Sequence, residues 1–226
     1  MSSGKLPPLE IGSGGPRASE ARREARFVRV HIRQTGLEYD GFIRIERADL
    51  AFEKFNGKMS GAVRRFRYHR GDVAAVMIYD AGQDRVLLIR QFRYAVHART
   101  GEGWVTECVA GIQEKGESIE AVARREVREE TGLKLAELEL LAEYFFSPGG
   151  CSDKVHLFLG TLVDPEQSLG VYGVPQEDED IQACWVPLSQ ALELARSGQI
   201  QDAKTLIGLH MLENRLLRRA VQDCPP

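Results

Sequence analysis

Four glutamates and one arginine carry the chemistry that this 226-residue sequence advertises: Glu117, Arg125, Glu126, Glu129 and Glu130. All fall within Gly111–Leu133, GIQEKGESIEAVARREVREETGL. On an α-helix Glu126 and Glu130 stand four residues apart, and Glu126 and Glu129 three, so these carboxylates project from one side. Like charges at that spacing weaken an isolated helix. The pattern calls for something positive between them, and a hard divalent cation bound by carboxylate oxygens meets the requirement.

The flanking sequence must position these groups. A glycine-containing turn leads into a helix from Ser118 to Thr131, with Ser118 as N-cap and Gly132 as the residue that ends it. Ile119, Val122, Ala123 and Val127 form one apolar stripe at helical spacing, so the helix packs on a sheet while its carboxylates face elsewhere. The sheet is read from apolar segments: Asp72–Tyr79, Arg85–Phe92, Trp104–Ala110 running directly into Gly111, Glu137–Phe146, Lys154–Val163 and Ile181–Val186. A polar loop spans Asp164–Asp180, and helices at Leu188–Ser197 and Asp202–Gln222 close the chain. Ahead of all this, Phe27–Ile32 alternates at period two, and Tyr39–Ile45 and Ala48–Phe55 are apolar and aromatic. Asn56-Gly57 is a hairpin turn signal before a strand over Ala62–Tyr68. The resulting expectation has three parts: a mobile tail at 1–25, an antiparallel β subdomain at 26–70, and a main domain at 71–226. The main domain is expected to be an α/β/α sandwich on a mixed sheet.

Composition narrows the classes. A hydrophobic content of 43% and a charged content of 28% belong to a globular chain with a sizeable core. With 30 basic and 33 acidic residues the net charge is −3, so no global field points to nucleic acid. The four cysteines, Cys108, Cys151, Cys184 and Cys224, form no C-x-x-C pair and read as free thiols of a reducing compartment. No apolar run has the length of a membrane span or a signal core, and a cytoplasmic location is expected. The five histidines show no ligand spacing. Neither a P-loop nor a G-x-S-x-G elbow occurs.

The spacing Gly111, five residues, Glu117, seven residues, Arg125-Glu126-Val127-Arg128-Glu129-Glu130-Thr131-Gly132-Leu133 resembles the Nudix box, G-x5-E-x7-R-E-U-x-E-E-x-G-U with U apolar, at every defined position. A chance match is on the order of one in a billion per window from residue frequencies, so an incidental acidic helix face is set aside. The likeness extends from about Tyr39 to the C-terminus. Pro148, in the loop SPGGCSD, stands where the ADP-ribose pyrophosphatases of the family have a proline. Glu177-Asp178-Glu179-Asp180-Ile181 is similar to their E-x-E-D-I segment, and Ser197–Asp202 to a further element before the last helix. The implied activity is hydrolysis of the pyrophosphate of ADP-ribose to AMP and ribose 5-phosphate by a homodimer. Cations neutralise the phosphoanhydride oxygens that repel incoming water, and they acidify a bound water.

Carried over residue by residue, the resemblance implies that Glu126, Glu130, Glu179 and the Ala110 carbonyl, with Glu129 in support, hold two or three Mg²⁺ or Mn²⁺ ions. Glu177 becomes the general base. Arg125 orients a box glutamate, and Glu117 supports it. Arg93, Arg65, Phe42, Ile112 and Asp153 become substrate contacts. Phe66 and Asp153 depart from residues found in some relatives, which leaves the nucleoside and terminal sugar open. GDP-mannose and other nucleoside diphosphate sugars are the alternative substrates. A ligand-sensing regulator without catalysis is a third reading, disfavoured by the intact box.

Overall fold

The computed structural model describes residues 28–173 and 178–222. The expected tail at 1–25, the expected base Glu177 and Cys224 lie outside the described residues. The described residues form two compact units, 28–36 with Arg47–Arg65 and Leu37–Glu46 with 66–173 and 178–222. The larger unit thus takes in Leu37–Glu46 and Phe66–Arg70, which the sequence reading grouped with the N-terminal strands.

Three strands, β1 (Val30–Asp40), β2 (Arg44–Phe52) and β3 (Val63–His69), form a sheet in that order. The expected strand across Tyr39–Ile45 is instead the turn that joins β1 to β2. Asp40-Gly41 supplies the turn chemistry, and Arg44 Nε reaches back 3.0 Å to Asp40 Oδ1. In the smaller unit Asn56-Gly57 does form a turn. Gly57 takes the left-handed conformation with φ 75°, and Asn56 Oδ1 accepts the Lys58 N–H at 3.0 Å.

In the larger unit the central strand is β4 (Val73–Asp80), buried from Ala74 to Ile78. Its side chains alternate between two cores, as the pleat requires. Val76 and Ile78, with Leu87 and Ile89 of β5 (Arg85–Phe92), meet Val122, Ala123 and Val127 of the helix that carries the box. Ala75 and Met77, with Val86 and Leu88, meet the two C-terminal helices on the other face. Helices on both faces of a mixed sheet make the expected α/β/α sandwich, and each fully buried Leu or Ile adds ~1.5–3 kcal/mol to it.

The sheet forks. β4 and β5 pair only at Ile78, Tyr79 and Asp80 against Leu87, Val86 and Arg85. Beyond that the strands part, and two short strands fill the gap: β6 (Trp104–Glu107) pairs with β5 and β7 (Val109–Ile112) with β4. The single strand expected over Trp104–Ala110 is therefore two, because the chain changes partner at Cys108. The Cys108 N–H leaves the sheet ladder and donates to Thr205 Oγ1 at 2.7 Å. Gly111 lies inside β7, opposite Ala74, rather than in a turn.

Around this fork the chain adds α1 (Tyr94–Thr100), α2 (Ile119–Thr131), β8 (Leu135–Phe145), β9 (Lys154–Leu162), β10 (Val171–Tyr172), β11 (Ile181–Pro187), α3 (Leu188–Arg196) and α4 (Ala203–Gln222). The order is β10-β11-β5-β4-β9-β8, with β4 and β9 parallel. Helix α1 has no counterpart in the sequence reading. It is two turns long, has no side-chain N-cap, and is marked only by Gly101 at its C-terminal end. Among the described residues no helix is long and apolar enough to cross a membrane.

Candidate active site

Helix α2 starts and stops where its sequence dictates. Ser118 accepts the Ala121 N–H at 3.2 Å, and Gly132 closes the helix in the left-handed conformation, its N–H bonded to Arg128 O. With Val122, Ala123 and Val127 buried in the core, Arg125, Glu126, Glu129 and Glu130 turn toward β7 or solvent.

Arg125 supplies a positive partner that the charge spacing demanded. Its Nε and Nη2 grip Glu117 at 3.0 and 3.1 Å, Nη1 reaches Glu126 at 2.7 Å and Glu129 at 3.1 Å, and Nη2 also donates to the Ile112 carbonyl at 3.2 Å. One guanidinium thus ties the loop, the helix and the end of β7 together. The bond to Arg125 holds the Glu117 carboxyl below its ordinary value.

Glu130 is in the opposite condition. It is 4% exposed, and its hydrogen-bond partner is the Ala110 N–H at 3.3 Å. Burial first, then the charges of Glu126 and Glu179, push its carboxyl well above the ordinary range, against the Ala110 N–H and Arg93. Burial also raises Glu126, with Arg125 opposing and Glu129 and Glu179 adding to the shift. After Arg125 has been counted, negative charge is left over between α2 and Glu179.

Gly111 explains how Glu126 comes so near the sheet. A Cβ there would sit 1.7 Å from Glu126 Oε1, so the carboxylate occupies the space a side chain would fill. A glycine inside a strand marks such close approaches.

A model of the NUDIX domain matches residues 69–207. The chain belongs to the Nudix family. Among its relatives are the ADP-ribose pyrophosphatases of Escherichia coli K12, 37% identical over 77% of this chain and 83% of theirs, and of Haemophilus influenzae, 36% identical over 77% and 82%. The GDP-mannose pyrophosphatase of Salmonella arizonae is 36% identical over 76% of this chain and 89% of its own. The chain is a Nudix hydrolase, and hydrolases of this family generally need divalent metal ions.

The residues of this Nudix hydrolase fit such an ion. Two buried or half-buried carboxylates with raised affinity for protons, beside a third, would gain from a cation that a protein side chain does not supply. Among the described residues no three acidic, imidazole or thiol groups converge closely enough to hold an ion by themselves. Carbonyls, waters and substrate oxygens would have to complete the coordination, as magnesium prefers.

The other residues singled out in the sequence have varied surroundings. Glu179 lies within electrostatic reach of Glu126 and Glu130. Arg93 follows β5 and forks onto Glu107 at 2.7 and 3.0 Å. Asp153 is buried, with one oxygen accepting the Arg70 N–H at 2.9 Å. Phe42 is not a core aromatic: it is 78% exposed, in the β1–β2 turn. Arg65 belongs to the smaller unit, where it donates to the Arg64 carbonyl.

Sequence reasoning missed Arg70, which it treated as a boundary. Its guanidinium lies 5.0 Å from the Phe42 ring centroid. Desolvation and then Arg93 pull its pKa down, against Asp153. Arg70 thus lies within electrostatic reach of Arg93. Glu107 and Lys204 were missed as well, although an acid inside the apolar run WVTECVAG was a usable signal; Asp202 was singled out only as the end of the Ser197–Asp202 element.

Proposed function

We propose that this protein is a Mg²⁺-dependent hydrolase that splits the pyrophosphate of ADP-ribose into AMP and ribose 5-phosphate. The observation that carries the reading is the half-buried Glu126 and the buried Glu130, facing the Ala110 strand, with Arg93 in electrostatic reach of Glu130 and Arg70 in reach of Arg93. The first set suits cations and the second suits the anionic substrate, so a pyrophosphate is matched from both sides. The names of the relatives in Escherichia coli and Haemophilus influenzae support the substrate.

Glu126, Glu130, Glu179 and the Ala110 carbonyl would hold the ions, with Glu129 nearby, and two or three Mg²⁺ or Mn²⁺ ions are in keeping with so many oxygens. When bound, the ions supply neutralisation of the phosphate oxygens and acidification of water. Arg125 keeps Glu126 in place through its 2.7 Å bond. Arg93 and Arg70 hold the phosphate oxygens, Phe42 offers a ring face, and Ile112 and Asp153 complete the substrate contacts within the larger unit. Glu177, two residues before Glu179, accepts the proton of the attacking water. Attack at phosphorus forms one P–O bond and breaks the bridging P–O bond, releasing two monophosphates without a covalent intermediate on the protein.

The protein acts as a cytoplasmic homodimer in this reading. Val28, Val30 and Ile32 alternate onto one side of the first strand region, and all are exposed, as is Phe55. A second copy would cover them.

GDP-mannose is the second reading, because a GDP-mannose pyrophosphatase is similar to about the same degree. The test is a screen of ADP-ribose, ADP-glucose, GDP-mannose and NADH with Mg²⁺, following monophosphate release. ADP-ribose is expected to give the highest kcat/KM. Clear turnover of GDP-mannose with little of ADP-ribose would overturn the first choice.

A further inference from the structure

Behind Arg93 lies a chain of buried and half-buried charges that the proposed reaction does not use directly. Glu107 is 3% exposed and stands between two cations. Arg93 forks onto it at 2.7 and 3.0 Å, and Lys204 Nζ donates to the same Oε2 that takes the longer of these bonds, at 3.3 Å. Lys204, 9% exposed, also donates to Asp202 Oδ1 at 2.6 Å. The other oxygen of Asp202 caps α4, accepting the Thr205 N–H at 2.9 Å and its hydroxyl at 2.7 Å. The Thr205 hydroxyl oxygen in turn accepts the Cys108 N–H at 2.7 Å.

The charges alternate along this line: Arg93, Glu107, Lys204, Asp202. Alternation is what makes burial of Glu107 and Lys204 tolerable, and each member is held by at least two bonds or by a bidentate one. For a glutamate that only neutralised Arg93, the lysine would be superfluous. Its presence holds Glu107 in one orientation from the side opposite Arg93. The fork onto Glu107 uses the Nε–H and one Nη2–H of Arg93. Three of the five guanidinium hydrogens remain for other acceptors, and a fixed fork leaves them in a fixed plane.

We propose that Glu107, braced by Lys204 and Asp202 at the start of α4, is a positioning residue that presents Arg93 to the anionic substrate. The inference rests on the reading of Arg93 as a substrate contact. It adds that the last helix takes part in substrate binding through two intermediaries. Glu107 touches neither substrate nor metal in this account and acts only through Arg93.

The test is a double-mutant cycle on the full chain, with whichever nucleotide sugar the wild type hydrolyses best. Glu107→Gln keeps the shape and removes the charge. It is expected to lower kcat/KM by about 10- to 100-fold, chiefly through KM. In an Arg93→Ala background the same change is expected to cost less than about twofold, because its only route to the substrate is gone. Equal losses in both backgrounds overturn the inference, since a merely structural role would be additive. Mn²⁺ affinity, read by electron paramagnetic resonance, is expected to stay unchanged in Glu107→Gln; a large fall would place its action at the metal bed and overturn the inference. If Glu107→Gln does not fold, Lys204→Met enters the same cycle and is judged by the same criterion. A wild type inactive on every nucleotide sugar would remove the proposed function, whereas an active wild type with an additive cycle would remove only this inference.

Discussion

Gly111→Ala separates the metal bed from the stability of the fold. Gly111 is not among the glycines with positive φ, so alanine suits its backbone, and replacing glycine at a compatible site adds about 0.4–1 kcal/mol through the unfolded chain. The added methyl would lie 1.7 Å from Glu126 Oε1, where ordinary contact begins at 3.4 Å. Because Gly111 is paired with β4, the carboxylate has to retreat, by roughly the missing 1.7 Å. The retreat breaks the 2.7 Å bond from Arg125, a charge-assisted bond of about 1.5–3 kcal/mol. The net cost is then about 1–2 kcal/mol, or a fall in Tm of about 2–8 °C for a chain of this size. Activity responds far more steeply: displacing a reacting group by ~1 Å can cost about 100-fold. Thermal unfolding, a Mn²⁺ titration and kcat/KM for monophosphate release would be measured on the same preparation. A folded variant that binds the ion normally and retains kcat/KM within about threefold would refute the placement of Glu126 in the metal bed.

Three further outcomes are expected. Burial and Glu126 raise the folded carboxyl pKa of Glu130 above its ordinary 4.5. Its contribution to stability is therefore fully present below 4.5 and is lost as pH rises through the folded value. Metal-free Glu130→Gln should melt above the wild type at pH 8, with the gap closing toward pH 5, and should lose the rise in Tm that divalent ions give the wild type; a lower Tm at pH 8 would contradict this. Arg70→Ala should raise KM about tenfold while leaving Mn²⁺ affinity intact, and an unchanged KM would exclude Arg70 from the anion site. Arg125→Lys keeps the charge but cannot span Glu117, Glu126 and the Ile112 carbonyl together, so ion affinity should fall about 10- to 100-fold, as measured by Mn²⁺ titration; wild-type affinity would show the fork to be dispensable.

What the sequence made legible follows from how local each signal is. Ser118, Gly132 and the stripe Ile119–Val127 act within one helix, and the helix forms over the span they specify. Asn56-Gly57 is similarly self-contained. The division of Trp104–Ile112 into two strands was not legible, because both halves are apolar and the switch depends on Thr205, a residue 97 positions away. Gly111 was read as a turn residue for the same reason: its need for a missing side chain comes from Glu126 across the fold. The charge spacing of α2 correctly demanded a positive partner, yet its type alone could not reveal that Arg125 answers for Glu117, Glu126 and Glu129 and leaves Glu130 wanting. Arg70 carried no motif, and its interest arises from Arg93 and Phe42, which only the tertiary structure brings near.

The forked sheet bears on how such a protein changes its diet over evolutionary time. The wedge β6–β7 is stitched to β5 on one side and β4 on the other, and both strands are sealed between two cores. Ala110, Gly111 and Ile112 on one tine, and Glu107 on the other, thus inherit their coordinates from the most deeply buried part of the chain. The loop at Ser147–Asp153 and the turn holding Phe42 are attached outside the wedge. On the proposed assignment of Phe42 and Asp153 to the substrate, insertions or exchanges there would leave the proposed metal-binding residues undisturbed while presenting a different outline to the nucleoside or the sugar. Swapping such peripheral segments between relatives is the economical route to a new leaving group, and the wedge is the part to leave untouched.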